Sequence, residues 1–316
     1  MPVVNDPPIV KRRRRFVRAS DPPNIEITSR DEDIMRFVAE MDFVNSRQIL
    51  AMVPSSEDKL LRRLGDLYHA RLLQRPRNQI EYYTAGSSPM VYTATPATIN
   101  HLNERDGGGL YDYKWKPRKK PVGRPHIQHT LAITEFHVAL ITGTRTCSEI
   151  ELIKAPSLIA GFPKPPLSFD KAFAYRTTVR HNGQQFKLTV NPDYAFALRS
   201  DEIGQRAYVA EIDRGTMPVK RSDYAQTSII RKLDTYISGH EEKLFDKNFG
   251  WKALRYLFVT KTEERATHMR TMALDDLTKN PAIRRLFYFT HAAAYANGNI
   301  LDHQWTDGNG QPQALI

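Results

Sequence analysis

The amino-terminal part of the chain carries three segments in which apolar residues recur at helical spacing. A capping box at Ser29 and Glu32 precedes the first segment, whose apolar stripe consists of Ile34, Phe37, Val38 and Met41. Residues 46–52 form the second segment. The third follows a cap at Ser55 and Ser56, and its stripe consists of Leu60, Leu61, Leu64, Leu67 and Tyr68. The pattern predicts three short helices that share one apolar core.

Two strand-like segments and a further helix complete this region. Residues 72–75 and 90–93 suit the paired strands of a β-wing, and residues 95–102 predict a closing helix. Three helices, the third of them basic, followed by a wing are typical of a winged helix-turn-helix, in which the third helix enters the major groove of DNA. A generic three-helix unit or a protein-binding winged helix would show the same pattern.

Two segments with alternating apolar residues lie on either side of a turn-like stretch in the second half of the chain. They cover residues 186–198 and 206–213, and the Ser, Asp and Gly residues between them suit a hairpin. Because side chains alternate across a strand, Glu211 and Asp213 share one face. The hairpin brings Asp193 beside Glu211. Converging carboxylates are typical ligands of Mg²⁺, although such pairs also bond to neighbouring basic side chains.

The rest of the carboxy-terminal part alternates between helical patterns and apolar strand patterns. A helix is predicted first, at residues 126–140, with His129 on its apolar face, where a lone histidine is usually a core residue. The later strands and helices are predicted at residues 148–153, 222–238, 255–260, 263–277 and 286–290. Together with the antiparallel hairpin, this order predicts an α/β (α+β) domain with a sheet of mixed direction.

The charge of the chain favours a polyanionic partner. Lys and Arg number 46 and Asp and Glu 35, which gives a net charge of +11 among 316 residues. Two basic blocks, at residues 11–15 and 114–124, lie in aperiodic segments that contain proline. Residues 1–28 therefore predict a disordered basic arm and residues 104–125 a basic linker. The domains predicted between and after them are residues 29–103 and 126–316.

The candidate DNA-binding residues lie on the third helix and in the amino-terminal arm. Their side chains face away from the apolar stripe or lie in the basic block, and they are Lys59, Arg62, Arg63, Arg12, Arg13 and Arg14. Double-stranded DNA is the partner that this charge pattern favours. A basic protein whose charges are merely solvated is the alternative.

Several other classes of protein are disfavoured. Cys147 is the single cysteine, so an intramolecular disulfide and a cysteine-based zinc site are excluded. The absence of an apolar run of membrane-spanning length and of an apolar signal core predicts a cytoplasmic protein. The sequence contains no Walker-type loop, which disfavours a helicase. It also contains no His-x-His pair, which disfavours a relaxase that would use Tyr82 or Tyr83.

The residues around the predicted hairpin resemble the core of PD-(D/E)XK nucleases. Pro192-Asp193 matches the first acidic position and Glu211-Ile212-Asp213 the second, with Asp213 where those enzymes carry Lys. When Arg214-Gly215-Thr216 and the Lys232 to Tyr236 segment are included, residues 30–305 resemble the bacterial replication-relaxation family. Its members pair a winged helix with a nuclease-like domain and are linked to plasmid replication and plasmid DNA relaxation.

The resemblance implies roles for four residues of this chain. Asp193 and Glu211 would bind Mg²⁺, and Asp213 would complete the metal shell or orient Lys232. Lys232, at the edge of the apolar stripe of its helix, would replace the missing strand lysine. The first helix of such domains sometimes adds an acidic residue, here Glu135.

Two functions are consistent with these assignments. One is a Mg²⁺-dependent endonuclease that nicks or relaxes duplex DNA. The other is a catalytically inactive nuclease fold that serves as a replication or transcription regulator, binds DNA through the winged helix and recruits replication proteins. The missing strand lysine favours the regulator, and the position of Lys232 favours the enzyme.

Overall fold

The chain divides into two compact units. They comprise Met1–Arg124 and Pro125–Ile316. The computed structural model describes residues 15–79, 88–107, 122–202, 204–296 and 298–316. Arg12, Arg13, Arg14, Tyr82 and Tyr83, as well as the greater part of the second basic block, lie outside these ranges.

The first unit combines four helices with a small antiparallel sheet in its described part. Its elements are α1 (Ser29–Met41), β1 (Val44–Asn45), α2 (Ser46–Met52), α3 (Glu57–His69), β2 (Leu73–Gln74), β3 (Val91–Ala94) and α4 (Pro96–Asp106). Strand β3 pairs with both β1 and β2, in the order β1-β3-β2. Each helix and strand predicted in this region has a counterpart here, and β1 is an additional strand.

The capping box of α1 lies one residue earlier than predicted. Thr28, not Ser29, is the N-cap, and the Thr28 amide donates to Asp31 Oδ2 at 2.8 Å. Asp31 is only 1 % exposed and also accepts a hydrogen bond from Arg63 Nε of α3 at 2.8 Å. Glu32 instead accepts a hydrogen bond from Arg105 of α4 at 3.0 Å. The two neighbouring carboxylates thus tie α1 to two different helices.

The second unit is a mixed α/β structure. Its elements are α5 (Arg124–Arg145), β4 (Glu151–Ile153), α6 (Ala155–Ala160), β5 (Tyr175–His181), β6 (Gln184–Val190), β7 (Tyr194–Ser200), β8 (Gly204–Ile212), α7 (Ile229–Glu241), α8 (Leu244–Phe249), β9 (Leu254–Thr260), α9 (Glu263–His268), α10 (Asp275–Leu277), α11 (Pro281–Arg284), β10 (Phe287–His291), α12 (Ala292–Tyr295), β11 (Trp305–Asp307) and β12 (Pro312–Gln313).

Seven of the described strands form one sheet of mixed direction. Their order is β12-β11-β10-β9-β8-β7-β4, with β8, β9 and β10 parallel and the remaining neighbours antiparallel. Apolar side chains cover both faces of the sheet. Val209 packs in the cluster that includes α7, and Tyr208 packs in the cluster that includes α5. By the alternation of β8, Glu211 lies on the α7 face.

Strands β5 and β6 form a separate two-stranded ribbon on the α7 side. An Asn182-Gly183 turn joins them, and its positive φ values of 47° and 79° are those that Asn and Gly adopt most readily. Tyr175 of β5 donates its hydroxyl to the Thr235 carbonyl of α7 at 3.1 Å. Gly239 lies against the same tyrosine, so the ribbon and the helix are in close contact.

Several helices differ from their predicted extents, and α4 and α5 end at Asp106 and Arg145 rather than near residues 102 and 140. Helix α7 begins at Ile229 rather than near residue 222, because Ser228 is in an extended conformation and caps the Arg231 amide at 3.3 Å. The helix predicted at residues 263–277 consists of α9, a wider π-helical segment at Met269–Leu274 and α10. No helix in the described ranges is long and apolar enough to cross a membrane.

The contact between Gly239 and Tyr175 predicts a large effect of a small substitution. In Gly239→Ala the new Cβ would lie 2.4 Å from the Tyr175 ring, so we expect a loss of about 1–3 kcal/mol of unfolding free energy. Urea unfolding followed by tryptophan fluorescence measures this loss. Gly161→Ala is the control, because its Cβ would meet only a carbonyl oxygen at 3.5 Å. Equal losses in both variants would contradict the packing argument.

Candidate functional site

A pocket of about 240 Å³ opens at the carboxyl end of β8 in the second unit. The charged and polar residues that line it include His129, Asp193, Glu211, Asp213, Arg214 and Lys232. All four residues predicted to carry chemistry therefore lie around one cavity. They come from the start of β7, the end of β8 and the first turn of α7, because these elements meet at this edge of the sheet.

Glu211 is a buried carboxylate with two donors. Its side chain lies between the sheet and α7, and the residue is only 3 % exposed. Lys232 donates to Oε2, and the Tyr236 hydroxyl donates to Oε1 at 2.6 Å. Lys232 and Tyr236 are four residues apart on α7, so both side chains lie on the same helix face. The helix thus delivers one cation and one hydroxyl to a carboxylate that has little contact with water.

The environment changes the acidity of both partners. Burial raises the pKa of Glu211 to about 7, while the charge of Lys232 opposes the shift. For Lys232, burial acts to lower the pKa, but the negative charges of Glu211 and Asp193 outweigh it, so the net pKa is raised. Lys232 is accordingly an ammonium at neutral pH. It can donate hydrogen bonds and offset negative charge, but it cannot accept a proton.

Asp193 is held beside Glu211 by the pairing of β7 and β8. It directly precedes β7, and the next residue, Tyr194, pairs with Ala210. Its Oδ2 accepts the Ile212 amide at 2.8 Å, and its Oδ1 accepts a hydrogen bond from His129 Nε2 at 3.1 Å. Burial acts to raise its pKa, but the His129 hydrogen bond and the Lys232 charge lower it overall. At neutral pH, Asp193 is therefore ionised, whereas Glu211 is close to its titration point.

His129 is a site residue that the sequence pattern assigned to the core. It lies near the start of α5 and is about half buried, and its hydrogen bond to Asp193 raises its pKa despite the opposing effect of burial. Glu135, the acidic candidate of the same helix, is exposed and does not line the pocket. The contact with Asp193 joins residues 64 apart, and no local spacing indicates it.

Asp213 faces the same pocket but is paired with a residue that the sequence did not suggest. Its carboxylate accepts two hydrogen bonds from the Arg265 guanidinium of α9, one of them at 3.0 Å to Oδ1. Oδ2 also accepts the Gly215 amide at 2.8 Å, and Gly215 has a φ of +80° that favours glycine. Asp213 thus fixes the loop after β8 to α9. No hydrogen bond joins it to Lys232 in the described part of the chain.

The candidate DNA-binding residues of α3 divide into two kinds. Lys59 and Arg62 are exposed. Arg63 forms an ion pair with the buried Asp31 at 2.5 Å and also donates to the Glu26 carbonyl at 2.6 Å. Arg63 therefore contributes to the packing of α3 on α1, because the buried Asp31 charge requires a partner. Lys59 and Arg62 are the two cations of α3 that are available to an external ligand.

The acidic residues of the pocket fit a hydrated Mg²⁺ better than an all-protein metal cage. Over the described ranges, no group of three or more His, Cys, Asp and Glu side chains could hold a metal ion. Mg²⁺ is commonly bound through one or two carboxylates, with water and phosphate oxygens as its other ligands. Each carboxylate oxygen of Asp193 and Glu211 accepts one hydrogen bond, which leaves a second lone pair.

Comparison with models of protein families gives a match. The model of a family described as replication-relaxation matches residues 35–250, which include the second half of α1, the ribbon, the pocket and α7. Neither the curated proteins nor the solved structures contain a match to the chain.

The burial of Glu211 predicts a specific pH dependence of stability. Its folded pKa of about 7 lies above the unfolded value of about 4.3, so its stabilising contribution is complete below the unfolded pKa and is lost as pH rises through 7. Glu211→Gln removes this titration. We expect the difference in unfolding free energy, variant minus original protein, to rise by on the order of 3 kcal/mol between pH 4 and pH 8.

Chemical denaturation at a series of pH values measures this difference. The exposed Glu202→Gln in the β7–β8 turn serves as a control and should give a nearly constant difference. A Glu211→Gln difference that is flat with pH, or that falls as pH rises, would show that Glu211 is not a buried acid with a raised pKa.

Proposed function

The chain belongs to the replication-relaxation family, and on that basis we propose that it binds duplex DNA and cleaves phosphodiester bonds in a Mg²⁺-dependent reaction. The family indicates a role in plasmid replication and DNA relaxation. A nick in one strand would release supercoiling or provide an end for replication. Replication proteins would be its further partners.

The observation that carries the proposal is the convergence of Asp193, Glu211 and Lys232 on one pocket. Two carboxylates on neighbouring strands and an adjacent lysine are the groups that the PD-(D/E)XK core provides. Here the lysine comes from α7 rather than from β8, and its ammonium still contacts the second carboxylate. The seven-stranded mixed sheet between α5 and α7 is consistent with such a nuclease-like domain.

Each side chain would have a distinct task in cleavage. Asp193 and Glu211 would hold Mg²⁺, which supplies an acidified water and offsets charge on the phosphate. Because Lys232 is an ammonium, its task would be to donate hydrogen bonds to the phosphate oxygens as negative charge develops. Tyr236 and His129 would keep the two carboxylates in place through their hydrogen bonds. Asp213 would hold the loop that borders the pocket through Arg265.

The first unit would provide the DNA-binding domain. Its order of three helices followed by two paired strands is that of a winged helix, with α3 as the recognition helix. Lys59 and Arg62 would contact the duplex, helped by Arg12, Arg13 and Arg14 of the basic arm. The structure of α3 supports this assignment because both cations are exposed while three leucines, Leu60, Leu64 and Leu67, are buried. Leu61, predicted on the apolar stripe, is instead 40 % exposed.

One observation favours a second candidate function. All four carboxylate oxygens of Asp193 and Glu211 already accept a hydrogen bond from the protein, and Asp213 stands where the strand lysine is expected. A site that is satisfied in this way can be purely structural. The second unit would then be an inactive nuclease-like scaffold, and the chain a DNA-binding replication or transcription regulator.

Cleavage of a supercoiled plasmid distinguishes the two functions. With Mg²⁺ present, we expect the original protein to convert supercoiled DNA to the nicked form. Asp193→Asn and Glu211→Gln should each lose this activity, because the ion loses a charged ligand. Lys232→Met should slow cleavage on the order of 10²–10³-fold and leave Mg²⁺ binding measurable by calorimetry, because its role is at the phosphate.

Two controls make this experiment decisive. Glu202→Gln should nick at the original rate, since Glu202 is exposed in the β7–β8 turn and does not line the pocket. All variants should show the circular dichroism spectrum of the original protein. If the original protein nicks nothing in Mg²⁺ or Mn²⁺, or if a protein that lacks both carboxylates still nicks, the proposed cleavage by this site is wrong.

The role of α3 is tested by the salt dependence of DNA binding. Each phosphate contact contributes about 0.9 to the slope of log affinity against log salt, so Lys59→Gln with Arg62→Gln should flatten the slope by about 1.8. Fluorescence anisotropy with a short duplex measures it. Arg63→Gln is the contrasting variant, since it should lower stability by about 1–3 kcal/mol through the unpaired Asp31. An unchanged slope in the double variant would place DNA binding on another surface.

A further inference from the structure

The outer face of the β5–β6 ribbon is uniformly basic and polar. Cross-strand pairs place Arg176 opposite Thr189, Thr178 opposite Lys187, and Arg180 opposite Gln185. All six of these residues are exposed, while the alternate positions, among them Tyr175, Val179 and Leu188, are buried in the core cluster that includes α7. One face of the ribbon therefore serves the core, and the other presents three cations and three neutral side chains that can form hydrogen bonds.

The three cations of this face are not neutralised by the protein. The side chains of Arg176, Arg180 and Lys187 form no ion pair or hydrogen bond in the part of the chain that the structure describes. Other cations of the same unit are paired, as Lys220 is with Asp276 at 2.8 Å. Since the face carries no acidic residue, its charge of +3 is available to an anionic partner.

The ribbon is held rigidly to the helix that forms the candidate site. Beside the Tyr175 contact with α7, the Thr177 hydroxyl lies 2.8 Å from that of Ser238. At the other end, His181 stacks on Tyr224 with a centroid distance of 4.0 Å. The outer face is thus fixed in position relative to Lys232 and Tyr236. Because the strands are already held in place, little backbone entropy is lost when this face binds a regular polyanion.

We propose that the outer face of the β5–β6 ribbon binds the phosphate backbone of duplex DNA beside the pocket. The inference rests on the proposed function only in taking DNA as the ligand, and it adds a surface separate from α3. Arg176 and Arg180 are four residues apart on one strand, which is about 13 Å. A duplex carries one charge per ~1.7 Å of its axis, so several phosphates lie within that span.

The position of the ribbon connects this surface to the pocket. Strand β6 ends at Val190, and Asp193 follows three residues later, a distance of at most about 11 Å along the chain. DNA held along Arg176 and Lys187 would therefore have its neighbouring phosphates close to Asp193. The ribbon would align the duplex, and the pocket would act on the phosphodiester bond that lies over it.

The composition of the face favours a duplex over other partners. Proteins that bind single strands stack bases on exposed aromatic side chains, and no aromatic residue lies on this face. Phe186, the nearest aromatic residue, points to the opposite face, where its ring lies 4.9 Å from that of Tyr224. The face also lacks the apolar residues that a membrane surface or a hydrophobic protein partner would require.

The test compares two charge-matched variants of the full chain. The first carries Arg176→Gln, Arg180→Gln and Lys187→Gln. The second carries Lys164→Gln, Lys252→Gln and Lys279→Gln, which remove three exposed lysines outside the ribbon. Anisotropy of a labelled duplex is measured at 50–200 mM salt in EDTA, so that no cleavage occurs. We expect the ribbon variant to flatten the slope of log affinity against log salt by about 2.7. Between 50 and 200 mM salt, its affinity should therefore fall about 40-fold less than that of the original protein. The second variant should leave the slope unchanged.

The outcomes separate this inference from the proposed function. If the ribbon variant matches the lysine control while Lys59→Gln with Arg62→Gln still flattens the slope, the ribbon inference is wrong and DNA binding by α3 stands. If the ribbon variant loses affinity only for a single strand of the same length, the duplex assignment is wrong. Absence of duplex binding by the original protein would overturn both. If the ribbon variant flattens the slope in EDTA while the original protein nicks nothing in Mg²⁺ or Mn²⁺, the ribbon inference stands and the cleavage part of the proposed function is wrong.

Discussion

The architecture of the second unit depends on the burial of one carboxylate. Glu211 lies at the end of a central strand, where a charge without partners would be strongly destabilising. Helix α7 supplies both partners, Lys232 and Tyr236, so its orientation on the sheet is restricted to one that brings these side chains to β8. The ribbon in turn packs on α7 through Tyr175 and fixes that orientation. Sheet, helix and ribbon thus meet around a single acidic group.

The two neighbouring carboxylates differ because their surroundings differ. Burial dominates at Glu211 and raises its pKa, whereas donors from His129 and Ile212 and the Lys232 charge lower the pKa of Asp193. Opposite shifts keep one group charged and the other near its titration point at neutral pH, which limits the repulsion between them. A cation bound between them would favour the charged form of both, so its affinity would depend on pH.

Local periodicity was sufficient to predict much of the fold, but only part of the site. The alternation of β8 places Glu211 on one face, and the edge of an apolar stripe indicates Lys232 as a site residue. The contact between Lys232 and Glu211 is shown only by the structure. The Asn182-Gly183 turn also signals a hairpin, although the ribbon was not predicted. Three contacts join residues that are far apart in the sequence. His129 contacts Asp193, Arg265 contacts Asp213 and Arg63 contacts Asp31, over 64, 52 and 32 positions. Only the tertiary structure determines such contacts.

The alternation of the ribbon also has an evolutionary consequence. Because buried and exposed positions occupy opposite faces, substitutions on the outer face need not disturb α7 or the carboxylates beneath it. The outer residues are free to diverge, while the inner residues stay constrained by packing. A chain built in this way can change the charge pattern of an exposed face by mutation without first losing the geometry of its pocket.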